Sequence, residues 1–240
     1  MSRKRRRSQS IDKTPQQAQI ESLSHDGWGI ARPDGKTTFI QGALPGETVE
    51  YIYTERKKDY DKGICQQVLT PAVERVAPPC EHYTICGGCS FQHYGSDNQI
   101  VHKQNVLMEN LLHIGGVTPT KVLSPLVGDR LAYRHKARLS VKYVHKKDAV
   151  LVGFRERLSG RFIADIQSCQ ILHPAVGLLI QPLRELIASL SNYASIAQIE
   201  VAIGENKSIF ILRHLEAFEP QDLEKLRSFA SSHNIFWYLQ

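Results

Sequence analysis

Thr48-Val-Glu-Tyr-Ile-Tyr-Thr54 puts Val49, Tyr51 and Tyr53 on one face of an extended chain and Glu50, Ile52 and Thr54 on the other. That two-residue alternation marks a strand laid over a core. Similar pieces flank it. Gln19-Ile-Glu-Ser-Leu-Ser24 alternates weakly, Asp26-Gly-Trp-Gly29 and Pro33-Asp-Gly35 are turn chemistry, and Thr37-Thr-Phe-Ile-Gln41 reads as a strand. Beyond the charged loop Arg56-Lys-Lys-Asp-Tyr60, the run Gly63–Leu69 closes the series. So many short strands in so few residues predict a small closed barrel of the OB type over residues 16–72. Such barrels offer rings and cations to single-stranded nucleic acid, which makes Arg56, Lys57 and Lys58 candidate RNA contacts. An ordinary charged hairpin loop is the alternative.

With 240 residues, 42% of them hydrophobic, the chain has material for one good core or two smaller ones. No stretch approaches a membrane span and no apolar signal segment is apparent. A reducing cytoplasm is therefore the expected compartment, without disulfides or a membrane partner. The formal net charge is +6, and Arg3-Lys4-Arg5-Arg6-Arg7 contributes five of those charges. The basicity is thus mostly a tail, residues 1–15, expected to be disordered and to attract phosphate without reading sequence.

Four of the five cysteines point to inorganic chemistry. Cys80-Glu-His-Tyr-Thr-Ile-Cys86-Gly-Gly-Cys89 carries three of them, and Cys169 supplies a fourth downstream. A Cys-x-x-Cys pair grips one centre from a tight turn, for which Gly87 and Gly88 give backbone freedom. Sulfur ligation of this kind suits a structural zinc or an iron–sulfur cluster, and spacing does not choose between them. His82, His93 and His173 keep a mixed zinc site open. Cys65, in the strand-like run Gly63–Val68, reads as a buried apolar residue.

Further along, residues 97–114 read as a helix whose stripe of Ile100, Leu107, Met108, Leu111 and Leu112 is suited to packing, with Gly115 as terminator. Gly115-Gly116 follows a helix instead of joining a strand to one, so it is no Rossmann-type cradle. In Arg134-His-Lys-Ala-Arg138 the cations Arg134, Lys136 and Arg138 share one strand face, an arrangement that wants an anion. Arg155 follows in a hairpin-like unit, Val150–Ile166, where Phe154 is placed to stack on a base. Pro174–Leu190 and Pro220–Ser231 read as helices, Ala197–Gly204 with Ser208–Arg213 as a hairpin, and Ile235-Phe-Trp-Tyr-Leu239 as an interrupted strand.

Ser24-His-Asp-Gly-Trp-Gly-Ile-Ala31 and Gly42-Ala-Leu-Pro-Gly-Glu47, within Ile20–Leu69, resemble a TRAM domain, a small RNA-binding barrel of RNA-modifying enzymes. The cysteine run 80–89, Tyr133-Arg-His-Lys-Ala-Arg-Leu139, Gly153-Phe-Arg155 and Cys169-Gln-Ile-Leu172 resemble the iron–sulfur part of the 23S rRNA (uracil-5-)-methyltransferase family. The resemblance implies an α+β chain: an OB-like TRAM barrel, then a central α+β iron–sulfur and RNA-binding domain over residues 73–240. It further implies that the family's Rossmann-like catalytic domain is absent from this chain. Cys80, Cys86, Cys89 and Cys169 match the ligands of a [4Fe-4S] cluster with an architectural job, 23S ribosomal RNA is the implied partner, and S-adenosylmethionine is the methyl donor of the full-length family. The family reaction is attack of a cysteine thiolate on uracil C6, methylation of C5 and base-assisted release of 5-methyluridine. No catalytic residue is assignable here, so this chain alone is not expected to transfer a methyl group. Two alternatives stand beside this reading. One is a freestanding TRAM-type module with a structural zinc or iron–sulfur site and no catalysis; the other is a split enzyme partnered by a separate catalytic-domain chain.

Overall fold

The computed structural model describes residues 11–240. The first ten residues of the expected basic tail lie outside the described residues. The chain forms two compact units, each built from two pieces: residues up to Ala77 with Ser90–Leu123, and Pro78–Cys89 with Ser124–Gln240.

In the first unit β1 (Gln16–Gln19), β2 (Ser22–Leu23), β3 (Trp28–Ala31), β4 (Thr38–Gln41), β5 (Thr48–Arg56) and β6 (Asp61–Thr70) form one sheet in the order β1-β5-β6-β4-β3-β2. Its two outer strands, β1 and β2, are consecutive in the chain. Between them Ile20 N–H donates to Glu47 O, Gly46 N–H to Ile20 O, and Glu21 N–H to Ile30 O. One bent segment therefore bonds to both ends of the sheet and closes it into a barrel. Ile20, Ala31, Ile40, Ala43, Val49 and Tyr51 fill it.

Crowding decides two glycines. A Cβ at Gly29 would lie 3.0 Å from Ala43 and from Ile20, and one at Gly63 would lie 2.6 Å from the Tyr51 ring and 3.0 Å from Ile52 O. Gly63→Ala is expected to destabilise the barrel by about 1–3 kcal/mol, the usual cost of overpacking. A lowered urea midpoint at unchanged slope would register it. Glu47, fully buried, receives Arg75 Nε at 2.5 Å and Nη2 at 2.8 Å, together with Leu44 N–H at 2.8 Å and Ala72 N–H at 3.2 Å. This pair ties the segment after β6 to the turn before β5.

Helix α1 (Ser96–His113) starts from Gly95 and stops where Gly115 N–H caps Asn110 O and Gly116 turns to φ 63°. None of its residues is buried, and Leu107 and Leu112 are exposed, so the expected packing stripe is not used as core within the described residues.

The second unit holds β7 (Lys136–Val144), β8 (Ala149–Gly153), β9 (Ile196–Ile203), β10 (Ser208–His214) and β11 (Ile235–Leu239) in the order β11-β10-β9-β7-β8. The short α2 (Pro174–Gly177) precedes α3 (Ile180–Ser189), and α4 (Pro220–His233) connects β10 to β11. Ile180, Leu183 and Ile187 of α3 and Leu226 of α4 share a core with Leu139, Val152, Ile199, Phe210 and Ile235 on one side of the sheet.

Ile235–Leu239 pairs in parallel with Ser208–Leu212, because α4 carries the chain back to the starting end of β10. The expected layout, a barrel followed by one α+β domain over 73–240 with the catalytic fold absent, is corrected. Ser90–Leu123 folds with the barrel unit, and the second unit contains a β–α–β crossover, the connection from which α/β sheets are built. Among the described residues no helix is long and apolar enough to cross a membrane.

Candidate metal centre and nucleic-acid face

The cysteine loop is laid against the hairpin that follows β8. Gly87 N–H donates to Arg155 O at 2.9 Å, Arg157 N–H to Ile85 O at 2.8 Å, and Cys86 bridges to Glu156. The glycines serve this approach. A Cβ on Gly87 would stand 3.0 Å from Arg155 O, and one on Gly88 3.4 Å from the Phe154 ring. Neither adopts positive φ, so close passage, not the expected turn freedom, requires them. Arg157 then pins the loop from inside: Nε and Nη2 donate to Tyr83 O, Nη2 also donates to Cys89 O at 2.6 Å, and the guanidinium lies 4.1 Å over the Tyr83 ring.

The fourth cysteine arrives on a separately anchored segment. Cys169 N–H donates to Gly177 O, while Gln167 N–H donates to His82 Nε2 at 3.2 Å and so draws the two segments together. All five cysteines are free thiols. Burial pushes the Cys86 thiol above its ordinary range, opposed by the Gly88 N–H and reinforced by the neighbouring Cys89, Cys169 and Cys80. Burial likewise raises Cys80, opposed by backbone N–H groups of His82 and Gln170 and reinforced by Cys169 and Glu81. Cys80, Cys89 and Cys169 thus each lie within electrostatic reach of Cys86. Among the described residues no three His, Cys, Asp or Glu groups close on a single metal ion, so neither the four cysteines nor the mixed set with His82, His93 and His173 forms a single-ion site. Cys65 stands apart in the barrel, pushed up to about 11 by burial, as a core thiol should be.

The candidate RNA contacts fall into two groups. On β7, Lys136 and Arg138 project from the face opposite the buried Leu139, and Arg134 is exposed just before the strand. Arg138 Nε lies 3.6 Å from Glu200. Arg155 is also exposed, whereas Phe154 is half-buried against the core and Gly88, where its ring lies against the cysteine loop. On the barrel, Arg56 covers the Tyr53 ring at 4.6 Å and faces Asp61 at 3.4 Å, Lys57 pairs with Glu55 at 2.7 Å, and Lys58 is exposed. Sequence reasoning missed the structural part of Arg157, whose partner carbonyls are 74 and 68 residues away.

Residues 14–60, within the barrel unit, match the family of the TRAM domain. Over 226 residues, 93% of this chain, the sequence is 51% identical to the 23S rRNA (uracil(1939)-C(5))-methyltransferase RlmD of Francisella tularensis subsp. novicida. It is 49% identical over 231 residues to the RlmD of Nitrosococcus oceani. The chain spans about half the length of the curated relatives it matches. Among solved structures, the Pyrococcus abyssi tRNA (uracil-54, C5)-methyltransferase in complex with S-adenosyl-L-homocysteine superposes with a TM-score of 0.59 at 21% identity, covering 87% of this chain and 48% of that one. This likeness is one of fold, and, covering 87% of this chain, it overturns the expected fold class in which the catalytic fold is absent. Nothing in these comparisons calls for a separate catalytic chain.

Proposed function

We propose that this chain serves S-adenosylmethionine-dependent methylation of uracil C5 in 23S ribosomal RNA in the cytoplasm, and that its described residues capture the RNA. The observation that carries the reading is the cation row of Arg134, Lys136 and Arg138, displayed on the open side of a sheet whose other side is core. The identity to RlmD proteins supports 23S rRNA as the substrate. The barrel, expected over residues 16–72, adds Arg56, Lys57 and Lys58, and Arg155 extends the β7 row. Phosphates pair with these cations and release counterions, so binding falls as salt rises.

Cys80, Cys86, Cys89 and Cys169 hold a [4Fe-4S] cluster in this reading. The donor set fits such a group. Burial first, and the neighbouring thiols after it, disfavour the thiolates, which a bound cationic centre would favour, and N–H groups already point at the Cys80 and Cys86 sulfurs. A multi-iron cluster also spaces its thiolates more widely than one ion does. The cluster fixes the loop against the hairpin, and methyl transfer draws no electron from it. S-adenosylmethionine supplies the methyl group; no residue here is assigned to it, since Gly115 and Gly116 end α1 and form no cofactor cradle.

Charge reversal of Arg134, Lys136 and Arg138 to glutamate is expected to weaken binding of an unmodified 23S rRNA fragment and to lower the salt slope by about 2, roughly 0.7 for each lost phosphate contact. Fluorescence anisotropy across a salt series measures both, with methyl incorporation from labelled S-adenosylmethionine scored on the same RNA. Unchanged affinity and slope would show the row to be merely solvated.

A further inference from the structure

The open face of the second sheet carries more than cations. Its register aligns Lys136, Ala202, Ile209 and Phe236 in one row, Arg138, Glu200, Ile211 and Tyr238 in the next, and Ser140, Gln198 and Arg213 in a third. Residues of opposite parity, such as Leu139, Val201, Phe210 and Ile235, are spent on the core. On the edge strand β11 this leaves Phe236 46% and Tyr238 59% exposed, an uncommon use of two large rings on one strand.

Charge on this face favours an anion. Glu200, the acidic member of the three rows, is held by Arg213 at 2.8 Å and Arg138 at 3.6 Å. Lys136 adds a further cation in register, and Lys207 Nζ lies 5.2 Å from the centre of the Phe236 ring. Rings at positions i and i+2 of a strand stand roughly 7 Å apart, which leaves room for a base on each. Sheets that display aromatic side chains in this way bind unpaired RNA by stacking, while cations follow the backbone.

We propose that Phe236 and Tyr238 form a base-stacking platform for unpaired nucleotides of the RNA whose phosphates the β7 row holds. This rests on the RNA-capture reading above and adds its specificity for single strands. A protein strand added to the β11 edge is the competing occupant, and the cations on this face count against it.

The test uses the full chain, a short fluorescein-labelled single-stranded RNA of mixed sequence, and the matching duplex. Phe236→Ala and Tyr238→Ala are each expected to weaken single-strand binding by about 5- to 150-fold, the range for one lost stacked base. The salt slope stays as in the wild type, because no cation is removed. Tyr238→Phe keeps the ring and is expected to bind normally. Tyr238→Ile keeps apolar bulk and strand propensity, so it separates stacking from folding, and is expected to bind as weakly as the alanine variant. Undiminished single-strand binding by Tyr238→Ile, or equal loss on duplex and single strand, overturns the platform. Self-association lost in the alanine variants with RNA affinity intact overturns it also, assigning the face to a protein partner. A wild type that binds neither RNA removes the capture reading itself, an outcome distinct from these.

Discussion

Replacing Cys86 and Cys89 together by serine is expected to remove the metal from this protein: about four iron and four acid-labile sulfide per chain in the anaerobically purified wild type, and none in the variant. Serine offers no thiolate, and the two remaining cysteines lie on different segments with nothing to bridge between. The effect should reach beyond the metal, since a group that binds only the folded loop adds its binding energy to folding. Protection of residues 80–89 from proteolysis is therefore expected to fall in the variant. Arg157→Lys sharpens the test. It keeps every cysteine and the charge but loses the fork that reaches the Tyr83 and Cys89 carbonyls together, so iron is expected to load and then to leave faster under a chelator. One zinc per chain without sulfide would sink the cluster assignment; equal chelator resistance in Arg157→Lys would sink the pinning role.

What the sequence disclosed was local. Alternation in Thr48–Thr54 is written in consecutive residues, and β5 indeed buries Val49 and Tyr51 with Tyr53 partly covered. Spacing likewise singled out Cys80, Cys86 and Cys89 within ten residues. What escaped depends on distant partners. Asp26-Gly-Trp-Gly29 reads as a turn because of its glycines, yet only Gly27 takes positive φ, and Trp28–Ala31 is a strand in which Gly29 is set by crowding from Ala43 and Ile20. The contact of Phe154 with Gly88, distant in sequence, is not written in its neighbours either. The partner of Ile235–Leu239 is likewise invisible in its own residues; β10 supplies it across α4. The same blindness hid Phe236 and Tyr238, whose alternation with buried Ile235 and half-buried Trp237 is plain once the core side is known.

Arg75→Met is expected to destabilise the barrel by about 3–5 kcal/mol near neutral pH, because it leaves a fully buried Glu47 carboxylate without its cation. Glu47→Gln should cost less: Arg75 keeps part of its surface in water and can turn toward it, and the amide oxygen still accepts one backbone N–H. The pH dependence separates an ion pair from mere packing. In the wild type, burial most strongly opposes ionisation of Glu47, but the hydrogen bonds from Arg75, Leu44 and Ala72 together outweigh it and hold the carboxyl below its usual range. That stabilisation is complete above the ordinary glutamate pKa of about 4.3 and is lost as pH falls through the depressed folded value. Without Arg75 only the Leu44 and Ala72 N–H groups still oppose burial, so the folded carboxyl is expected to bind its proton more readily than in the wild type, and acid to relieve the variant. The gap between wild type and Arg75→Met should thus be widest at neutral pH and narrow toward pH 4. Urea melts followed by Trp28 fluorescence in a Trp237→Phe background read the barrel alone. A gap that does not change with pH would mean that Arg75 holds the turn through its stem and not through its charge.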